Sequence, residues 1–432
     1  MSDKRVALPT REVLGWAMYD FANSGYATVV LTAVYSTYFV GVIAADLGNG
    51  DATFLWTMNI ALANLLVLIT APLIGAIADH SACKKRFLLI TTSGCVIFTA
   101  SLALTGANDV MIASILVVAA TIMFHSGENL IAAFLPDIST PENMGRTSAF
   151  GWTVGYLGGL LILGICLAYV THAQAQQASA ESYVPVTMLI VAIAFALASI
   201  PTFLWLKETK QVQNHAAGHA IRSGFQRLWV TFQHARHYRD LFRFLATVFI
   251  YHCGIQTVVV LAAVYAQEVM KFSTADNMVL ILVVNVTAAA GAFLFGRVQD
   301  AIGSRPTLIF TLLIWIAALV LAFFTESRAT FWLVGNLVGL ALGASQSAGR
   351  ALVGIFSPPS RSGEFFGLWG LATKLSAVVG PLVYGLIASL SHGNHRYALL
   401  STAIFFIVGI VTLLSVDETR GKIAARSSDL AQ

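Results

Sequence analysis

The chain has 432 residues, of which 57% are hydrophobic and only 11% charged, with a mean hydropathy of +0.77 and a formal net charge of +4. A soluble protein of this size carries about 25% charged residues, so this one cannot cover a water-facing surface. The composition excludes a soluble globular protein and describes a polytopic membrane protein.

The start, MSDKRVALPTREV, lacks the apolar core and small-residue cleavage site of a secretory signal, so no leader is expected to be removed. A bilayer-spanning helix needs about 20 mostly apolar residues. Twelve such stretches follow, centred near Thr28, Leu65, Val96, Ala119, Leu160, Ala194, Val258, Val286, Leu313, Gly339, Ala377 and Ile407. The longest polar stretch, KETKQVQNHAAGHAIRSGFQRLWVTFQHARHYRD, divides them six and six. Within it Ile221, Phe225, Leu228, Trp229 and Phe232 recur at helical spacing, which predicts an amphipathic helix on the membrane surface. The expected organisation is a six-helix bundle over 1–206, a central loop over 207–240, and a second bundle with a tail over 241–432.

Lysine and arginine set the orientation. Lys4, Arg5, Arg11, Lys84, Lys85 and Arg86, the central segment, and Arg420, Lys422 and Arg426 all fall on one side of twelve spans. The opposite loops hold only Lys271, Arg328 and Arg396. Both termini and the central loop are therefore expected in the cytoplasm.

The two halves repeat one another. NSGYATVVLTAVY at 23–35 matches HCGIQTVVVLAAVY at 252–265, with one inserted residue. GAIADHSACKKR at 75–86 matches GRVQDAIGSR at 296–305 in its glycine and in the aspartate four residues later. SGENLIAAFLP at 126–136 lies over AGRALVGIFSP at 348–358. A duplicated six-span unit is the pattern of transporters with a solute site near midplane between halves.

The Gly-x-x-x-Asp of GAIADHSACKKR, followed by basic residues, resembles the loop between spans two and three of the major facilitator superfamily. His80 and Ala82 depart from the usual pattern, while the second copy keeps Asp300, Gly303 and Arg305. The resemblance implies that Asp79, Lys85, Arg86, Asp300 and Arg305 latch the cytoplasmic ends of the halves. WAMYDFANSGYAT, NLIAAFLPDIS, GRTSAFGWTVGYLGGL and GASQSAGRALVGIFSPPSRSGEFFGLWGLATKLSAVVGP are together similar to the vacuole-effluxer family, a branch of that superfamily named for a fungal vacuolar protein that releases amino acids. It implies facilitator-type transport of amino acids or other small solutes.

Ionisable side chains within spans mark functional sites. Asp20, Glu128, Arg350 and Lys374 fall in spans one, four, ten and eleven. Glu128 and Arg350 each precede a span-ending proline by eight residues, so they are pseudo-equivalent positions of opposite charge. Helical spacing places Asn23 with Asp20, His125 and Asn129 with Glu128, Gln256 with His252, and Gln346 with Arg350. By the resemblance, spans one, four, seven and ten line a central cavity. Three readings stay open: an acid and Arg350 gripping a zwitterion, Asp20 or Glu128 carrying a coupling proton, or a structural ion pair, Glu128–Arg350 or Asp20–Lys374, that closes the gate.

Cys83, Cys95, Cys166 and Cys253 lack metal-ligand spacing and read as packing residues. The spacings of His215/His219 and His234/His237 could suit a metal, but no carboxylate or cysteine joins them. No phosphate-binding Gly-x-x-x-x-Gly-Lys-Ser/Thr loop or Gly-x-Ser-x-Gly nucleophile motif is present. No enzymatic activity, cofactor, metal or nucleic acid is expected; the expected partners are a small solute, a coupling proton or other ion, and membrane lipid. The alternatives to amino-acid transport are export of drugs or other metabolites, or a non-transporting sensor or assembly factor. Short outer loops favour a bacterial cytoplasmic membrane.

Overall fold

The computed structural model describes residues 10–47, 49–80, 83–208, 238–272, 274–391 and 394–430. The expected amphipathic helix and the four central histidines lie outside them. The first half comprises α1 (Arg11–Gly25), α2 (Tyr35–Tyr38), α3 (Asn49–His80), α4 (Lys84–Ser101), α5 (Val110–Ala132), α6 (Leu135–Ile138), α7 (Met144–Ala175) and α8 (Ala180–Trp205). The second comprises α9 (Arg239–Glu268), α10 (Thr274–Ile302), α11 (Ser304–Phe324), α12 (Arg328–Phe356), α13 (Ser362–Leu390), α14 (His395–Ser401) and α15 (Ala403–Leu414), followed by a tail helix, α16 (Glu418–Leu430).

Eleven helices among the described residues are long and apolar enough to cross a membrane. The expected tenth span is present as α12, a 29-residue helix. Its glycines, serines, Asn336, Gln346 and Arg350 dilute its hydropathy, and most of its second half is buried by other helices. Span one is not a uniform α-helix: beyond Gly25 it widens into a π-helix over Tyr26–Ala33. Such stretches are rare and collect at functional sites.

The packing repeats as the sequence does. In the first half α1 packs on α7 and α8, α5 on α3 and α4, and α4 on α8; in the second α9 packs on α13 and α15, α12 on α10 and α11, and α11 on α15. The halves meet through two related seams, α3 and α5 against α13, and α7 against α10 and α12. Glycines make the close approaches. A Cβ on Gly343 of α12 would run into the Ala288 carbonyl of α10, and one on Gly75 of α3 into the Gly363 carbonyl of α13.

At the end of the bundle that carries Arg11, Lys84 and the tail, here the basic end, α16 ties elements together. Glu418 accepts from the backbone N–H of Ser304 and Arg305 at 3.0 and 3.1 Å, satisfying orphan donors at the start of α11. Arg420 donates twice to the buried Asp240 at 2.5 and 2.6 Å. From this anchor Lys422 crosses to Glu142 of the first half at 3.0 Å. The Lys422 hydrogen bond holds the Glu142 carboxyl at about 2, below its ordinary 4.5. A depressed carboxyl contributes stability above its unfolded value and loses it as pH falls toward the folded one, so this tether is intact from about pH 5 to pH 8.

Gly343→Ala is expected to cost about 1–3 kcal/mol through overpacking and to lower the thermal midpoint of the detergent-solubilised protein. Gly164→Ala, where a Cβ meets nothing within 4 Å, should leave it unchanged. Equal midpoints for the two variants would contradict the close α10–α12 seam.

Candidate functional site

Two ion pairs cross between the halves inside the bundle, and in each the acid comes from the first half and the base from the second. Arg350 of α12 donates through Nη1 to Asp20 Oδ2 of α1 at 2.7 Å. Its Nε donates to Ser148 Oγ at 3.1 Å and its Nη2 to the Ser148 carbonyl at 2.8 Å. The guanidinium carbon lies 4.6 Å from the Trp16 ring centre and 5.1 Å from that of Trp152. Arginine suits this place because its planar fork serves several acceptors while its faces stack on indole. The small residue at Gly151 is required here, since a Cβ would meet Trp16, Asp20 and Arg350 together.

The second pair joins α13 to α5. Lys374 Nζ is 3.5 Å from Glu128 Oε2 and donates to His125 Nδ1 at 2.7 Å. The same Nδ1 is 3.1 Å from Glu128 Oε2. Exposure separates the two pairs. The Arg350 and Asp20 side chains are 4% and 12% exposed, whereas those of Lys374 and Glu128 are 14% and 30%. The first pair is sealed; the second has a face open to a ligand.

These partners reverse the pairings open from sequence. Asp20 meets Arg350, not Lys374, and Glu128 meets Lys374, not Arg350. Helix packing is the reason: α13 faces α5 across one seam, and α12 faces α7, beside α1, across the other.

The remaining polar positions stand around these pairs. Asn23 Oδ1, Asn129 Nδ2 and His252 Nδ1 are buried and have no hydrogen-bond partner among the described residues, the condition of groups that await water or a ligand. Asn129 approaches Gly370 of α13 at the second pair's seam. Gln256 and Gln346 are half-buried.

Toward the basic end the repeated aspartates occupy equivalent places. Asp79 accepts from the Glu364 N–H at 2.9 Å, at the start of α13. Asp300 accepts from the Arg146 N–H at 3.3 Å and from its Nε at 2.7 Å, at the start of α7. Each carboxylate thus lies at the positive N-terminus of a helix in the opposite half. Lys85 and Arg305 instead donate within their own halves, to the carbonyls of Leu206 and Leu414, and Arg86 is exposed. Besides Arg146, Lys84 bridges the halves here: it is buried and donates to Asp137 at 2.9 Å and to Ser362 Oγ of α13 at 2.6 Å. Arg361 and Glu364 form a further buried pair at 2.8 Å beside Tyr238. Sequence reasoning passed over Lys84 as one of three basic residues, and the SPPSRSGEFFG block was the available signal for Arg361 and Glu364. Ser148, Trp16 and Trp152 carried no charge to mark them.

The hydrogen bonds and ion pairs across the halves described above, with that from Thr153 to the Ala289 carbonyl, lie from Lys374 and Thr153 toward the basic end. The bundle is therefore closed at that end.

Residues 50–426 match the model of the Atg22-like vacuole effluxers. The chain belongs to that family. It is 27% identical over 425 residues to an uncharacterized MFS-type transporter, YxiO, of Bacillus subtilis, covering 98% of each chain. It is 26% identical over 329 residues to autophagy-related protein 22 of Yarrowia lipolytica, covering 69% of this chain and 55% of that one. The chain thus spans nearly all of the bacterial relative but only about half of the fungal one. Among solved structures, the human organic anion transporter MFSD10 superposes with a TM-score of 0.73 at 16% identity, over 93% of this chain and 99% of that one. The proton:xylose symporter XylE superposes with 0.71 at 16%, over 95% and 96%. The fold is that of the major facilitator superfamily, and the family is one of membrane transporters.

Arg350→Lys keeps the charge but loses the Ser148 contacts and the indole stacking, at an expected cost of about 1–3 kcal/mol to the closed arrangement. Spin labels at the exposed Arg86 and Ile302, one in each half, should then show a longer inter-half distance population. An unchanged distribution would exclude Arg350 as a clamp.

Proposed function

We propose that this protein is a secondary transporter that moves a small zwitterionic solute, amino acids foremost, by alternating access. The observation that carries the reading is the partly buried Glu128–Lys374 pair at the seam between halves, beside buried groups without partners among the described residues. Breaking a buried ion pair by removing one member costs about 3–5 kcal/mol because the other charge is left unpaired. A zwitterion presents both charges, so it can enter the seam and leave neither Lys374 nor Glu128 unmatched. The sealed Asp20–Arg350 pair, with its indole sandwich, serves as the clamp that closes the basic end while the solute site faces the other side. Family resemblance favours amino acids as the class, in keeping with the description of the family as vacuole effluxers.

The positive-inside distribution supports a basic end that faces the cytoplasm. Similarity over the full length of a bacterial relative favours a bacterial cytoplasmic membrane.

The test is counterflow in proteoliposomes loaded with an equimolar mixture of the twenty amino acids, following labelled species one at a time. Wild type should exchange at least one of them. Lys374→Gln should weaken that exchange by about tenfold or more, the loss of one charge-assisted hydrogen bond of about 1.5–3 kcal/mol. No exchange of any amino acid by wild type, or full exchange by the variant, would overturn the assignment.

A further inference from the structure

The geometry around His125 carries an inference about what accompanies the solute. The imidazole Nδ1 has one in-plane valence: it bears either a lone pair or a proton. In the closed seam Lys374 Nζ lies 2.7 Å from it, and an ammonium, which can only donate, fits a lone pair there. Glu128 Oε2 stands 3.1 Å from the same nitrogen, and a carboxylate there fits an N–H instead, so Nδ1 can serve one of the two neighbours at a time. His125 and Glu128 belong to the first half and Lys374 to the second. The closed cluster sums to zero: an ionised Glu128, a neutral His125 and a charged Lys374.

Opening the seam divides that sum. Lys374 leaves with the second half as an unmatched cation, and Glu128 stays in the first as an unmatched anion, at a cost in either case. A proton at the Nδ1–Oε2 contact quenches the anion and completes the waiting hydrogen bond. It also expels Lys374, because an N–H at Nδ1 cannot accept from an ammonium. The freed ammonium then requires an anion, and the solute's carboxylate is the group of matching chemistry. We infer that Glu128 and His125 take up one proton together as Lys374 takes up a solute carboxylate, so that proton and carboxylate move through the protein as a pair. The proton comes from water on the open side, forms an O–H or N–H bond at the Nδ1–Oε2 contact, and returns to water on the other side as that bond breaks; no bond between heavy atoms changes.

The inference rests on the transport reading above and narrows it: the proton, rather than the solute's ammonium, matches Glu128, and the recognised group is the carboxylate. Other titratable groups face the cluster. Tyr19 and Asp20 of α1 and His252 of α9 lie within electrostatic reach. Asp20 is occupied by Arg350, and the Tyr19 hydroxyl accepts from Thr92. His252 is the one competing imidazole and must be part of the test. The Glu142 tether stays intact over the relevant pH range and supplies no response of its own.

Two readouts separate the proton from the solute. The first needs no solute: the Arg86–Ile302 spin-label distance in proteoliposomes, titrated from pH 8 to pH 5. Wild type should shift its population as the seam is protonated, and Glu181→Gln, at the far end of the bundle, should shift alike. Glu128→Gln and His125→Asn should lose the shift, while His252→Asn keeps it. A wild type that does not respond, or a response that survives in Glu128→Gln or vanishes only in His252→Asn, overturns the proton site. The second readout is accumulation of the exchanged amino acid under an imposed pH gradient. In Glu128→Gln, gradient-driven accumulation should fall at least tenfold further than exchange does. Equal losses of both would overturn the coupling, whereas a pH-dependent distance with no amino-acid exchange would count against the solute reading alone.

Discussion

A charge buried away from water must be matched, and this protein places the matching partners in different rigid halves. Asp20 and Glu128 belong to one bundle, Arg350 and Lys374 to the other. Any motion that parts the halves at these levels parts cation from anion. The free energy of that separation is large compared with thermal energy, so the seam stays shut until something else supplies the missing charge.

The same constraint recurs, in weaker form, toward the basic end. Asp79 and Asp300 each meet the partial positive charge of a helix start in the opposite half, with a cation beside it: Lys84 at 3.6 Å from Asp79 and Arg146 at 2.7 Å from Asp300. Lys84 reaches across to Ser362, and the tail helix reaches Glu142 through Lys422. These contacts grade from buried to exposed along the axis. The strong, sealed clamp is Arg350; the outer tethers are surface pairs of the type worth at most about 1 kcal/mol each. The cluster at Lys374 lies deeper than the Arg350 pair, since α12 ends and α13 begins at the basic end and Lys374 stands further along its helix from there.

Much of this was legible in the residues. Span count, duplication and the four intramembrane charges follow from hydropathy and spacing, because lipid permits few alternatives to apolar helices. The partners were not legible. Glu128 and Arg350 are pseudo-equivalent in sequence, and that relation sets them on symmetry-related helices rather than in contact. Deciding who meets whom required knowing that α13 faces α5 while α12 faces α7. The π-helical stretch after Gly25 was hidden too, since no proline or charge marks it. Ser148 and the two indoles around Arg350 look like ordinary interior residues until a guanidinium is placed among them. Lys84 was visible only as part of a basic run, where topology alone explains a positive residue.

Determining the structure of the membrane-embedded protein trapped open at the basic end tests the central claim most directly. In that state Arg350 should lie beyond hydrogen-bond reach of Asp20 and Ser148, and Lys374 beyond reach of Glu128 and His125, with each half otherwise unchanged. Finding both pairs still joined, with the opening accommodated elsewhere in the bundle, would contradict the account.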